Sequence, residues 1–147
     1  MMPDQPYDQV RYESIAVGDQ IPPLEINCSY SLIVASAIAS RDYQNVHHDR
    51  DGAQALGSKD IFMNILTTNG LVGRAVTDWT GPAGTLKKVD IRLGVPNYAG
   101  DTMIVSGEVI AKETSGDENL VTVSVRGVNS IGDHVTGQVV VRVESEV

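Results

Sequence analysis

The chain contains one cysteine, Cys28, among 147 residues, so it can form no internal disulfide and no multi-cysteine metal site. Apolar residues make up 41% of it, yet no apolar run approaches the roughly 18 to 20 residues that cross a bilayer. The opening Met-Met-Pro-Asp-Gln-Pro has neither a basic start nor an apolar core, so no secretory signal is expected and cytoplasmic residence is the default expectation. Positive charge is scarce. Eleven Lys and Arg stand against nineteen Asp and Glu, a net charge of −8. Such a surface repels nucleic-acid phosphate and anionic lipid, so neither nucleic acid nor membrane is expected as a partner. The one basic cluster is Lys87, Lys88 and Arg92. Repeats, low-complexity tracts and dividing linkers are absent, which leaves one expected domain over residues 1–147, with 1–14 as a loose polar arm.

The apolar residues that are present fall into a clear order. Leu24, Ile26 and Cys28 alternate with polar positions after Pro22-Pro23, as in a short strand following a turn. A short helix is expected from Ser29 or Ser31 to about Ser40, and a second short turn through Arg50 to Leu56, with Asp49 as its cap and Gly57 as its stop. From Asp60 to Trp79 the apolar side chains spread around most of a helical wheel, which predicts a long helix enclosed by protein. Asp60 would sit at its positive end. Its middle is small, and Gly70 and Gly73 cost about 1 kcal/mol each against Ala, which close approach by a sheet would justify.

After Gly81-Pro82-Ala83-Gly84 the period becomes two. Four runs rich in Val, Ile and Thr follow, joined by turn residues, and predict an antiparallel meander. One long helix wrapped by a curved antiparallel sheet is an α+β layout. A lone sheet of this size leaves edges to cover, so association through the sheet is expected.

Chemistry concentrates in residues 40–49, Ser-Arg-Asp-Tyr-Gln-Asn-Val-His-His-Asp, which hold two of the three histidines. Helix neighbours lie three or four apart. Asp42 and His47 are five apart, so they can converge on one small object, such as a water molecule, only from a loop. This makes them the candidate proton-handling pair. His48 with Asp49 and Asp42 is a weak metal pattern because adjacent side chains usually point apart, so no metal is expected. Asp49 reads as a cap, His134 as a turn residue and Cys28 as packing.

The stretch Asp42-Tyr-Gln-Asn-Val-His47-His-Asp49 resembles the signature Asp-x-Asn-Pro-(Leu/Ile)-His-x-Asp of the MaoC-like, hot-dog-fold enoyl-CoA hydratases. Gln44 and Asn45 replace the family's Asn and Pro. The run from Ile61 resembles the family's helix start Ala-His-Gly-Met-Leu-Thr, with Met63 for its His and Asn64 for its Gly. Tyr98-Ala-Gly-Asp-Thr102 is similar to the family's Gly-Asp-Thr strand entry. More narrowly, His47 to Asp51, Gly57 to Ile61 and Thr77-Asp-Trp79 resemble the small subunit of actinobacterial heteromeric hydratases of steroid side-chain CoA thioesters.

The resemblance implies a hot-dog fold and addition of water to an α,β-unsaturated acyl-CoA, with CoA part of the substrate and no separate cofactor. It gives Asp42 and His47 the catalytic roles. It assigns thioester binding to Asn64, through oxyanion donors at the helix start, and to Gln44 and Asn45. It implies a second MaoC-like chain as partner, carrying a DUF35-type domain, with a homodimer as the other assembly. Lys87, Lys88 and Arg92 are candidate contacts for the CoA phosphates, directly or across an interface, though an ordinary solvated strand face is the stronger reading. A hot-dog acyl-CoA thioesterase and a non-catalytic assembly subunit are the competing functions.

Overall fold

The computed structural model describes residues 9–146. The first strand, β1 (Gln20–Cys28), buries Ile21, Ile26 and Cys28. Pro22 and Pro23 fall where its register with the neighbouring strand shifts, and they are tolerated because β1 lies at the edge of the sheet. Ser29 then caps α1 (Tyr30–Ala39), its hydroxyl accepting the Leu32 N–H. After Ser40 the chain reverses at Arg41, which has a φ of 58°, and enters the 40–49 loop. Asp49 caps the short α2 (Arg50–Ala55), as its position suggests.

The long helix, α3 (Ile65–Thr80), begins five residues after Asp60, where the sequence pattern opens it. Ile61 to Met63 are extended instead, and Phe62 forms a bridge with Tyr98. Side-chain periodicity cannot distinguish a buried extended segment from a first helical turn. Asp60 therefore does not serve the helix dipole. It accepts hydrogen bonds from the Tyr30 hydroxyl and the Ile61 N–H, and the Tyr30 bond is the main cause that holds its carboxyl below the usual carboxylate range.

Four strands follow, β2 (Thr85–Leu93), β3 (Asp101–Ser115), β4 (Glu118–Val128) and β5 (Asp133–Arg142). The sheet order is β1-β3-β4-β5-β2, antiparallel throughout. Only β3 to β5 run as the expected meander, because residues 94–100 carry the chain from β2 at one edge back to β3. Several valines of β3 to β5, among them Val105, Val123 and Val139, are fully buried in one cluster with Val72 and Val76 of α3. Burying a side chain of this kind contributes roughly 1.5 to 3 kcal/mol, so the interface between sheet and helix is the main source of stability.

The helix is less enclosed than its wheel suggests. Ile65, Leu66, Asn69, Gly70, Arg74 and Asp78 are exposed on the side away from the sheet. Gly73 meets the expectation of close approach, since a Cβ there would lie 3.1 Å from Leu86 Cδ1 on β2. Gly70 does not: a Cβ would meet nothing within 4 Å.

The N-terminal arm also differs from its expected looseness. Residues 1–8 lie outside the described part, but Tyr12 donates its N–H to Glu144 O at 3.0 Å. The Lys112 ammonium donates to Tyr12 O at 2.7 Å and sits 4.2 Å from the centre of the Tyr12 ring. A cation that finds a carbonyl and a ring face together fixes a segment that apolar pattern leaves unassigned.

Candidate active site

The loop that leaves α1 is tied back at once, with Asp42 N–H donating to Ala37 O at 2.9 Å. A 3-10 turn at Asn45–His47 then directs His47 inward. Two further chain segments complete the wall: Phe62 N–H donates to Val46 O and Met63 N–H to Asn97 O, each at 3.0 Å. The extended Ile61 to Met63 segment is therefore stitched between the loop and the β2–β3 connection, and its carbonyls are fixed.

One of these carbonyls orients the histidine. His47 Nδ1 lies 2.7 Å from Phe62 O, and because a carbonyl only accepts, Nδ1 carries the hydrogen. The Phe62 ring packs edge-on to the imidazole, with centroids 5.0 Å apart. The opposite nitrogen, Nε2, faces Asp42 Oδ2 at 3.4 Å. In the neutral ring, Nε2 is a lone-pair acceptor facing a carboxylate, an arrangement that calls for a shared proton or a donor between them. A water giving one hydrogen to each base would satisfy both and point its own lone pair away from the protein. His47 is buried and Asp42 half-buried, so the outside reaches the pair mainly through the carboxylate.

Asn64 completes the cluster. Its Oδ1 accepts the Thr67 N–H at 3.0 Å and the Thr67 hydroxyl, capping α3. Its Nδ2 donates to Asp42 Oδ2 at 3.1 Å and to Ser40 Oγ at 2.9 Å. The cap takes the Thr67 N–H, while the Ile65 and Leu66 N–H groups at the positive end of the helix have no partner within it, which makes them suitable donors to a developing oxyanion. Between α1 and α3 an apolar groove of about 400 Å³ is lined by Leu32, Ala39, Leu66, Gly70 and Leu71. It runs to Ser40 and Thr67, the two side chains bonded to Asn64. The open space over Gly70 is part of this groove.

Other candidates are placed elsewhere. Gln44 and Asn45 expose their side chains and serve the turn through their carbonyls, which accept from His47 and from His48 and Asp49. His48 is exposed, its Nε2 within 3.0 Å of Tyr43 O. Lys87 pairs with Glu118 at 2.6 Å and Lys88 with Asp90 at 3.4 Å. With Arg92 they lie on β2, an outer strand, and none of the three lines the apolar groove. Cys28 is fully buried, and burial raises its thiol above the ordinary range.

His134 is no turn residue. It is buried in β5, donating from Nδ1 to Val95 O at 2.7 Å and accepting the Thr68 hydroxyl at Nε2, 2.8 Å away. Burial lowers its pKa below the ordinary 6.5, outweighing the Val95 bond. Below that ordinary value the unfolded chain binds the proton and the folded chain resists it, so stability is full above about 6.5 and falls as pH drops beneath it. Urea midpoints measured from pH 7.5 to 5 should decline across this range. In His134→Asn, which has nothing to titrate there, the slope should flatten; an unchanged slope would assign it to other groups.

A curved antiparallel sheet around one helix, with Asp42 and His47 joined through Asn64 to the Ser40 and Thr67 end of an apolar groove, defines a hot-dog domain. No family model matches the chain. It is 54% identical over 123 residues to the 3-oxo-4,17-pregnadiene-20-carboxyl-CoA hydratase beta subunit of Mycobacterium tuberculosis, covering 84% of this chain and 92% of that one. A chain in the crystal structure of the ChsH1-ChsH2 complex from the same species is similar at 52% identity, with a TM-score of 0.82 over 88% of this chain and 98% of that one. The R-hydratase PhaJ1 from Pseudomonas aeruginosa also has a TM-score of 0.82, over 94% of this chain and 88% of its own, and at 22% identity it shares the fold. The chain belongs to the MaoC-like hot-dog hydratase family.

Proposed function

We propose that this chain is the catalytic subunit of an enoyl-CoA hydratase in sterol side-chain breakdown. It adds water to a steroid side-chain enoyl-CoA thioester, working beside a second MaoC-like chain in the cytoplasm. The observation that carries this reading is the 3.4 Å approach of Asp42 Oδ2 to His47 Nε2, with Nδ1 held by Phe62 O. Water bound by the two bases attacks Cβ. As the C–O bond forms, the alkene electrons move toward the thioester oxygen, where the N–H groups at the start of α3 receive the charge. The pair, having taken one proton from water, returns a proton to Cα, and the sum is addition of H and OH.

The groove between α1 and α3 supports an apolar acyl group, and the relative's named substrate is a steroid carboxyl-CoA. The relative is named as a beta subunit, and the similar solved chain lies in the ChsH1-ChsH2 complex. Here β2 ends the sheet with Leu86 and Leu93 partly exposed, an edge that suits a partner strand. The test is a spectrophotometric assay over a panel of enoyl-CoA esters, with the chain alone and co-expressed with a MaoC-like partner chain. Loss of the enoyl absorbance without release of CoA thiol is the expected result. Thiol release would instead identify a thioesterase, and no reaction with any ester would leave an assembly role.

A further inference from the structure

The Asn64 side chain has two occupations that are separable by chemistry. Thr67 N–H can only donate, so the atom it meets is Oδ1, and Nδ2 must face Ser40 and Asp42. The amide is thus fully used: two donors into Oδ1, two acceptors at Nδ2. It is also buried, 2% exposed, where an amide so bonded does not rotate freely. The carboxylate it holds has little other restraint. Among the described residues, Asp42 Oδ1 has only the Gln44 N–H, at a distant 3.5 Å. Its Oδ2 is the atom facing His47, and that atom receives the Asn64 hydrogen.

We infer that Asn64 is a positioning residue for the hydration step, its Nδ2 clamping Asp42 Oδ2 toward His47 while its Oδ1 caps α3. This rests on the hydratase reading of the Asp42–His47 pair, and it adds to the backbone donor at the same position a distinct task for the side chain. The cap ties the clamp to the helix whose first N–H groups, in the hydratase reading, receive the thioester charge. Water, base and oxyanion site are thereby held in one frame.

Two substitutions divide the tasks. Asn64→Asp keeps the cap, since Asp caps as well as Asn, but replaces the donor with an acceptor beside Asp42. Two carboxylates in contact share a proton, so the acid limb of the pH–kcat profile should move to higher pH. At the wild-type optimum kcat should fall about 100-fold, the scale of a misplaced reacting group. Asn64→Gly keeps the backbone N–H and caps nearly as well, but has no clamp. Here kcat should fall roughly tenfold, with KM altered far less and the acid limb unmoved. Both are assayed as the full chain with its partner subunit.

A purely capping Asn64 predicts wild-type kcat and pH profile in Asn64→Asp, and that result would overturn the proposal. Should Asn64→Asp fail to fold, Asn64→Gly decides on kcat alone. Crystal structures separate this inference from the reaction: in Asn64→Gly the Asp42 Oδ2 to His47 Nε2 separation should open beyond 3.4 Å whether or not any enoyl-CoA is hydrated. An unchanged separation refutes the clamp. Failure of every enoyl-CoA with wild-type protein refutes only the hydratase reading.

Discussion

Asp42→Asn is expected to remove hydration almost completely while the fold stands. The substitution keeps shape and hydrogen bonding: the new amide oxygen can accept from Asn64 Nδ2, where Oδ2 accepts at 3.1 Å. The same oxygen stays 3.4 Å from His47 Nε2, as Oδ2 does in the native arrangement, and the NH₂ takes the place of Oδ1. The flaw for catalysis is basicity: a neutral amide oxygen can still hold a water but cannot take its proton. Acid–base groups of this type are worth typically about 10² to 10⁴ in rate, and kcat should fall within that range. Melting temperature should shift little, since a chain of this size moves roughly 2 to 4 °C for each kcal/mol. Retention of even a tenth of wild-type kcat in a folded variant would remove Asp42 from the base role.

The same cluster shows why the sequence was readable at some positions and silent at others. Asp42 and His47 could be paired on paper because five-residue spacing excludes a helix and leaves a loop, where convergence is cheap. Asp49 and Ser29 were legible as caps because capping is a local rule with a short reach. What failed was whatever depends on contacts between distant segments. Periodicity ran the long helix back to Asp60, yet Ile61 to Met63 are held extended by Val46 and by Asn97 to Ala99. Those partners carry no local mark. That one misplaced helix start hid the Phe62 carbonyl, which orients His47, and gave Asp60 to a dipole it never meets.

A signal for Asn64 was present but unread. Asn three residues before Thr67, ahead of an apolar run, has the form of a cap, and a cap at that point would have started the helix at the right place. The strand order escaped for a different reason. Turn residues report that the chain reverses, not which neighbour it then joins, so β2 was placed beside β3 and is found beside β5. His134 was misread likewise: Gly132-Asp133 marks a turn, and only the arrival of Thr68 from α3 shows that the next residue is already inside.

His47→Ala should be as damaging to turnover as Asp42→Asn, but with a different accompaniment. The imidazole carries a proton-accepting nitrogen, a bond to Phe62 O at 2.7 Å, and an edge contact with the Phe62 ring. Removing it costs the base, and kcat should again drop by about 10² to 10⁴. It also leaves the part-buried Phe62 carbonyl without its partner, at the low end of the roughly 1 to 3 kcal/mol that an unsatisfied buried acceptor costs. A melting temperature several degrees lower is therefore expected, where Asp42→Asn leaves it nearly unmoved. Combining the two substitutions decides whether the residues act together. Side chains that hold one water are a unit, so the double variant should be little slower than either single one. Rate losses that multiply would mean that Asp42 and His47 act on separate steps, and the shared water would have to be abandoned.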